Sequence, residues 1–231
     1  MILIQITDPH VVAGPEGDAA AAALTEVVDA IVALPLPPTA VLVSGDLAHD
    51  GAPASYARVK VLLAPLPAPV HVIAGNHDSP AIWDAFPRED AADVGGVRLV
   101  LLDTSIPGMD AGRLRLPELE DRPTVIAMHH PPLRSGIKAI DDLGLSDGDR
   151  EALTDLLARS PQVLRVLCGH VHRTTFETLG GVGVFTCPAT FEQAEPSNSS
   201  HPPGLAFVER GRAFAIHTWM NGVFVTQLQP V

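Results

Sequence analysis

Residues Ile2-Leu3-Ile4-Gln5-Ile6-Thr7-Asp8-Pro9-His10 read as a short apolar strand that runs directly into two side chains able to bind a metal. Four more runs of buried-strand length repeat that form. Ala40–Ser44 is followed by Gly45-Asp46, 70–74 by Gly75-Asn76-His77-Asp78, Thr124–Met128 by His129-His130-Pro131-Pro132, and Val163–Cys168 by Gly169-His170-Val171-His172. In an open α/β sheet, ligands gather outside the carboxyl ends of the strands. Five strand ends carrying Asp, Asn and His thus point to one site.

The segments between these runs support an α/β reading. Within 18–34, Leu24, Val27, Val28, Ile31 and Leu34 share one helical face, Asp18 is expected to cap the start, and Pro35, Pro37 and Pro38 stop the helix. A second helix is expected over 53–64, and Ser146 with Asp149 forms a capping-box pattern ahead of Leu153, Leu156 and Leu157. Val97–Leu102 is a further strand candidate. After Cys168 the pattern changes to hairpin-like pieces: 174–179 and 182–186 around Gly180-Gly181, then 205–209, 213–219 and 223–228.

With 231 residues, 1–231 is expected to form one domain. Residues 189–204, rich in Pro, Ser and Asn, read as an irregular excursion that could form a lip over the site, and 205–231 as C-terminal strands of the second sheet. Fifteen Lys and Arg against 27 Asp and Glu leave a net charge of −12, which repels a phosphate backbone. Nucleic acid is therefore not the expected partner, and an aromatic content of 4% leaves little for base stacking. No apolar stretch is long enough to cross a bilayer, so no membrane partner is expected. The N-terminus reads as a strand rather than a signal peptide, and the two cysteines, Cys168 and Cys187, are too few for a disulfide scaffold. A cytoplasmic location is the default expectation.

Asp8 and His10 are two apart in extended chain, as are His170 and His172, so each pair can face one side. Gly45, Gly75 and Gly169 each precede a ligand candidate, where a missing Cβ permits a sharp turn or a close approach. Asp8, His10, Asp46, Asn76, His129, His170 and His172 offer seven nitrogen or oxygen donors, too many for one ion. If Asp46 bridges, two divalent ions ~3.5 to 4 Å apart would each receive about four protein ligands, an arrangement suited to hydrolysis. The donor set excludes a thiolate site and does not choose among Mn, Fe, Zn and Co.

This ordered set resembles the calcineurin-like metallophosphoesterases. The run Leu101-Leu102-Asp103-Thr104-Ser105, the pair His129-His130 before Pro131-Pro132, and Cys168-Gly169-His170-Val171-His172 resemble in particular the bacterial class III cyclic nucleotide phosphodiesterases and their glycerophosphodiesterase relatives. The resemblance implies a four-layer α-β-β-α sandwich, two mixed β-sheets flanked by helices. It assigns Asp8, His10 and His172 to one metal, Asn76, His129 and His170 to the other, and Asp46 to the bridge. It places His77 over the substrate as the assisting catalytic residue. The cofactors implied are two divalent, or mixed-valence, transition-metal ions, with a metal-bridging hydroxide as nucleophile and a small cyclic or linear phosphodiester as substrate. A phosphomonoesterase with the same site and a non-catalytic metal-binding scaffold are the alternatives. A homodimer is left open.

Other residues weigh less. His130, Asp78 and His201 are candidates for contact with substrate or for support of the ligands. His49 and Asp50 read as a solvated turn, with a place lining the pocket mouth as the alternative, His71 and His217 as structural histidines, Cys168 as a small buried hydrophobe, and Asp103 as a loop-fixing carboxylate.

Overall fold

The computed structural model describes residues 1–195, 206–209 and 211–231. In chain order its elements are β1 (Ile2–Ile6), α1 (Asp18–Val32), β2 (Ala40–Ser44), α2 (Pro53–Leu63), β3 (Val70–Ile73), α3 (Ile82–Ala85), β4 (Ala91–Val94), β5 (Val97–Leu102), β6 (Thr124–Met128), α4 (Lys138–Asp141), α5 (Asp147–Ala158), β7 (Val163–Cys168), β8 (Thr175–Leu179), β9 (Val182–Thr186), β10 (Gln193–Ala194), β11 (Phe207–Val208), β12 (Ala213–Met220) and β13 (Val223–Pro230). No helix among the described residues is long and apolar enough to cross a membrane.

Two mixed sheets form the centre. The first has the order β13-β12-β1-β2-β3, with β1, β2 and β3 parallel and β12 antiparallel to β1. The second has the order β4-β5-β6-β7-β9-β8, parallel from β5 to β9 with antiparallel edges. Side-chain alternation sorts β1 and β2 into two faces. Ile4, Ile6, Val41 and Val43 pack under α1 and α2 against Leu24, Val28, Tyr56 and Val59. Leu3 and Leu42 face the other way and meet Leu99, Val125, Ala127 and Leu167 of the second sheet. On the far side of that sheet, Ile126, Met128 and Val166 pack on Leu153 and Leu157 of α5. The result is the expected α-β-β-α stack. Strands buried on both faces must be apolar throughout, which is why these runs stood out in the sequence.

Of three local expectations, one holds and two change. Asp18 does not cap α1: the N-cap is Gly17 with no side-chain bond, and the Asp18 carboxylate accepts from Arg58 at 2.6 Å instead. Ser146 does cap α5, accepting from the Asp149 backbone at 3.1 Å. The C-terminal strands were expected in the second sheet, but β12 and β13 lie in the first, where β12 pairs with β1 from Ile2 against Thr218 to Gln5 against Ala215. An antiparallel neighbour on the free side of β1 covers an edge that would otherwise stay open, a demand set by the assembled sheet.

Candidate metal centre

The carboxyl ends of β1, β2, β3, β6 and β7 converge as expected, and the backbone there is unusual. Asp8, His10, Asp46, His170 and His172 all have positive φ, between 47° and 67°, and the other such non-glycine residue among those described is Asn221 in the β12–β13 turn. L-residues rarely adopt this conformation, so each held there stores roughly 1–3 kcal/mol that the surrounding fold offsets. The gain is direction: the chain turns abruptly off each strand and aims the side chain back over the sheet edge. The β1–β2 pairing continues past both strands to hold these turns, through His10 N to Asp46 O and Val11 N to Leu47 O, both 3.1 Å. Gly169 is needed for space, since a Cβ there would strike Thr7 and the Ser44 carbonyl.

Two groups of donor atoms result. In one, His10 Nε2 lies 3.1 Å from His172 Nε2 and 3.6 Å from Asp46 Oδ2, and His172 Nε2 is 3.4 Å from Asp8 Oδ1. In the other, Asn76 Oδ1 lies 3.1 Å from His129 Nε2 and 3.0 Å from His170 Nδ1, while His129 Nε2 is 3.4 Å from Asp46 Oδ2. Donors bound at about 2.0–2.2 Å to one ion, at tetrahedral to octahedral angles, sit about 3.0–3.5 Å from each other. Both groups have that spacing, and Asp46 Oδ2 belongs to both.

The protonation pattern also fits cations. His129 Nδ1 donates to the Ser44 carbonyl and His172 Nδ1 to the Glu192 carbonyl, each at 2.8 Å. Carbonyls only accept, so in each neutral ring the proton sits on Nδ1 and a lone pair on Nε2. Those lone pairs face carboxylate and amide oxygens that are acceptors too. A positive charge is what the arrangement favours, and the pKa shifts of its groups point the same way. Burial works against a charged His129 ring, yet Asp46 and Asp8 raise its pKa to about 9. His172 is raised as well, with Asp8 overcoming the cost of burial. Asp46 is lowered well below the ordinary carboxylate range, since His129 and His10 outweigh its burial, and Asp8 falls to about 2 as His172 and His129 outweigh its own. His10 goes the other way, to about 3, because burial dominates. Burial, with His130 and His129 beside it, holds His170 well below its usual value.

His77 stands at the open side. Its backbone N–H donates to Asp46 Oδ1 at 2.9 Å and its Nδ1 to the His49 carbonyl at 3.1 Å, with no hydrogen-bond partner for Nε2 among the described residues. His130 is fully occupied: Nε2 donates to the Asp110 carbonyl at 3.1 Å and Nδ1 accepts from the Thr104 hydroxyl at 2.8 Å. It packs behind His170, ring centroids 4.8 Å apart, and ties the loop after β5 to the site. Asp78 does not touch the His77 ring in this structure. Its carboxylate accepts from Leu47, Ala48 and Gly75 backbone N–H groups at 2.9–3.2 Å, clamping the loop after β2 to that after β3. Burial and the neighbouring Asp46 charge raise Asp78 to about 6. His201 lies outside the described residues.

Asp103 fixes its loop as expected, through the Ser105 backbone and hydroxyl and through Arg88. Cys168 is buried, and His217 bridges Gln5 and Thr226 inside the fold. Sequence reading missed the backbone carbonyls of Ser44 and Glu192, which carry no residue-type signal, and Phe207, whose ring stands 4.9 Å from that of His172. His49 is exposed, as read, and also packs against both His10 and His77, which touch each other with ring centroids 4.7 Å apart.

The profile of the calcineurin-like phosphoesterase family matches residues 1–174. A probable cyclic nucleotide phosphodiesterase of a Synechococcus strain is 33% identical over 213 residues, 84% of this chain and 83% of that protein. The 3′,5′-cyclic adenosine monophosphate phosphodiesterase CpdA of Pseudomonas aeruginosa is 33% identical over 218 residues, 86% of this chain and 79% of its own. Among solved structures, a dimetal phosphatase from Danio rerio shares the fold at a TM-score of 0.68 and 15% identity, covering 100% of this chain and 96% of that one. The profile match takes in all five strand-end motifs, and the relatives extend the likeness beyond it, so the chain belongs to the calcineurin-like phosphoesterase family.

Proposed function

We propose that this protein hydrolyses small phosphodiesters, with 3′,5′-cyclic nucleotides as the leading substrate class, at two divalent transition-metal ions sharing Asp46. The observation that carries the reading is the pair of donor groups at coordination spacing with Asp46 Oδ2 common to both. Asp8, His10 and His172 would hold one ion and Asn76, His129 and His170 the other. Two such ions, when bound, lower the pKa of water and neutralise charge on phosphoryl oxygens.

The chain's own residues supply the rest. The carbonyls of Ser44 and Glu192 hold the Nδ1 protons of His129 and His172, so Nε2 of each ring points inward and is the nitrogen that gives up its proton when an ion binds. Asp46 and the His49 carbonyl hold His77 so that Nε2 is its one ring atom left to exchange a proton with the leaving oxygen. Residues 1–231 are proposed to act as one unit, because β12 and β13 complete the sheet that carries Asp8 and Asp46. The substrate class follows the activity for which the Pseudomonas aeruginosa relative is named.

The test is a panel of 3′,5′-cyclic AMP, bis(4-nitrophenyl) phosphate and 4-nitrophenyl phosphate on protein loaded separately with Mn, Fe, Zn or Co. Turnover of the diesters, lost on chelation, is expected. A strong preference for the monoester overturns the substrate class, and failure to take up ions overturns the centre.

A further inference from the structure

His49 is five residues past Ser44, at the end of the same ladder that shapes the centre. Val11 pairs with Ala48 in the register of β1 with β2, and the His49 backbone N–H donates to the Val11 carbonyl at 3.3 Å. In that register residue 49 falls opposite residue 12, close enough to His10 for the two side chains to meet. His49 Nδ1 lies 3.4 Å from His10 Nδ1, with the two rings 5.4 Å apart at 61°. On its other side the His49 ring stacks on His77, centroids 4.8 Å apart at 28°, and its carbonyl accepts from His77 Nδ1.

From this contact we infer that His49 is a positioning residue that fixes His10 for metal binding. The inference rests on the metal-centre reading above. A ligand histidine must present a lone pair on one nitrogen, and its other N–H needs an acceptor to set tautomer and ring angle. His129 and His172 have backbone carbonyls for this. Among the described residues, the partner recorded at His10 Nδ1 is His49 Nδ1. His10 Nδ1–H therefore donates to His49 Nδ1, leaving His10 Nε2 open toward Asp46 and His172. The same ring also touches His77, which meets His10 directly with centroids 4.7 Å apart, so the three imidazoles form one cluster with an exposed loop histidine at its outer side.

Three variants separate the roles. His49→Ala removes acceptor and ring, His49→Asn restores an acceptor where Nδ1 stood, and His49→Phe restores only the ring. Each keeps the backbone carbonyl, and each is first shown by thermal unfolding of the metal-free form to fold like the parent. Two-site metal titration against a competing chelator is the readout. His49→Ala should weaken one of the two ions about 10- to 100-fold and leave the other unchanged, with Asn recovering most of the loss and Phe none. Two ions bound by His49→Ala with parental affinities, or recovery by Phe but not Asn, overturns the inference alone. A parent protein that takes up fewer than two ions overturns the metal centre, and this inference with it.

Discussion

One carboxylate oxygen of Asp46 accepts the backbone N–H of His77 at 2.9 Å while the other stands 3.4 Å from His129 Nε2. The residue proposed to bridge the ions thus also anchors the chain that carries the assisting histidine. A change at residue 46 therefore acts on both, unless it preserves the hydrogen bond.

Asp46→Asn retains an oxygen for the His77 N–H and removes the charge shared by both donor groups. Metal affinity should fall by at least about 100-fold at both ions, more than for loss of a supporting partner. Metal analysis after dialysis checks this, and a variant that keeps both ions would show that Asp46 does not bridge.

For His77→Ala the expectation is opposite in kind. His77 belongs to neither of the two donor groups that share Asp46, so both ions should stay bound while kcat drops about 10²- to 10⁴-fold. Metal content and turnover measured on the same sample decide it. Unchanged kcat removes His77 from the reaction.

Metal uptake should expel protons at neutral pH. With its pKa raised to about 9, His129 of the metal-free protein carries a second proton at pH 7, and an ion needs that nitrogen bare. Affinity should rise with pH, and the share of released protons from His129 should vanish above about pH 9. Calorimetry in buffers of different ionisation heat reads the proton count. A count of zero at pH 7 contradicts the assignment.

His217 lies away from the centre and gives a separate acid effect. Burial, then the nearby Arg165 charge, lowers its pKa from 6.5 to about 3. Below pH 6.5 the unfolded chain binds a proton that the folded chain refuses, so stability present above 6.5 is lost as pH falls toward 3. The loss reaches about 2 kcal/mol by pH 5. Denaturant unfolding of parent and His217→Gln from pH 7 to 5 should give a shallower slope for the variant, and parallel curves would refute it.

Much of this was open to inspection in the chain. The strands stood out because those buried on both faces are apolar at most positions, and the seven donors stood out because each follows such a strand. β4 was missed since Ala91–Val94 carries an aspartate and is only partly buried, a strand made by pairing with β5. His130 and His170 are the same residue type at equivalent strand ends, yet His130 is taken up by Thr104 and Asp110. Nothing local distinguishes them.

The sequence by itself determined which residues could serve as ligands and the strand ends they follow, because apolar runs and residue types are local and survive in one dimension. The tertiary structure alone decided that β12 closes the first sheet, that the carbonyls of Ser44 and Glu192 set two tautomers, and that His49 reaches His10. Each of these joins distant segments or uses a backbone atom common to every residue. Such relations come into being only when the sheets assemble and five non-glycine residues are held at positive φ.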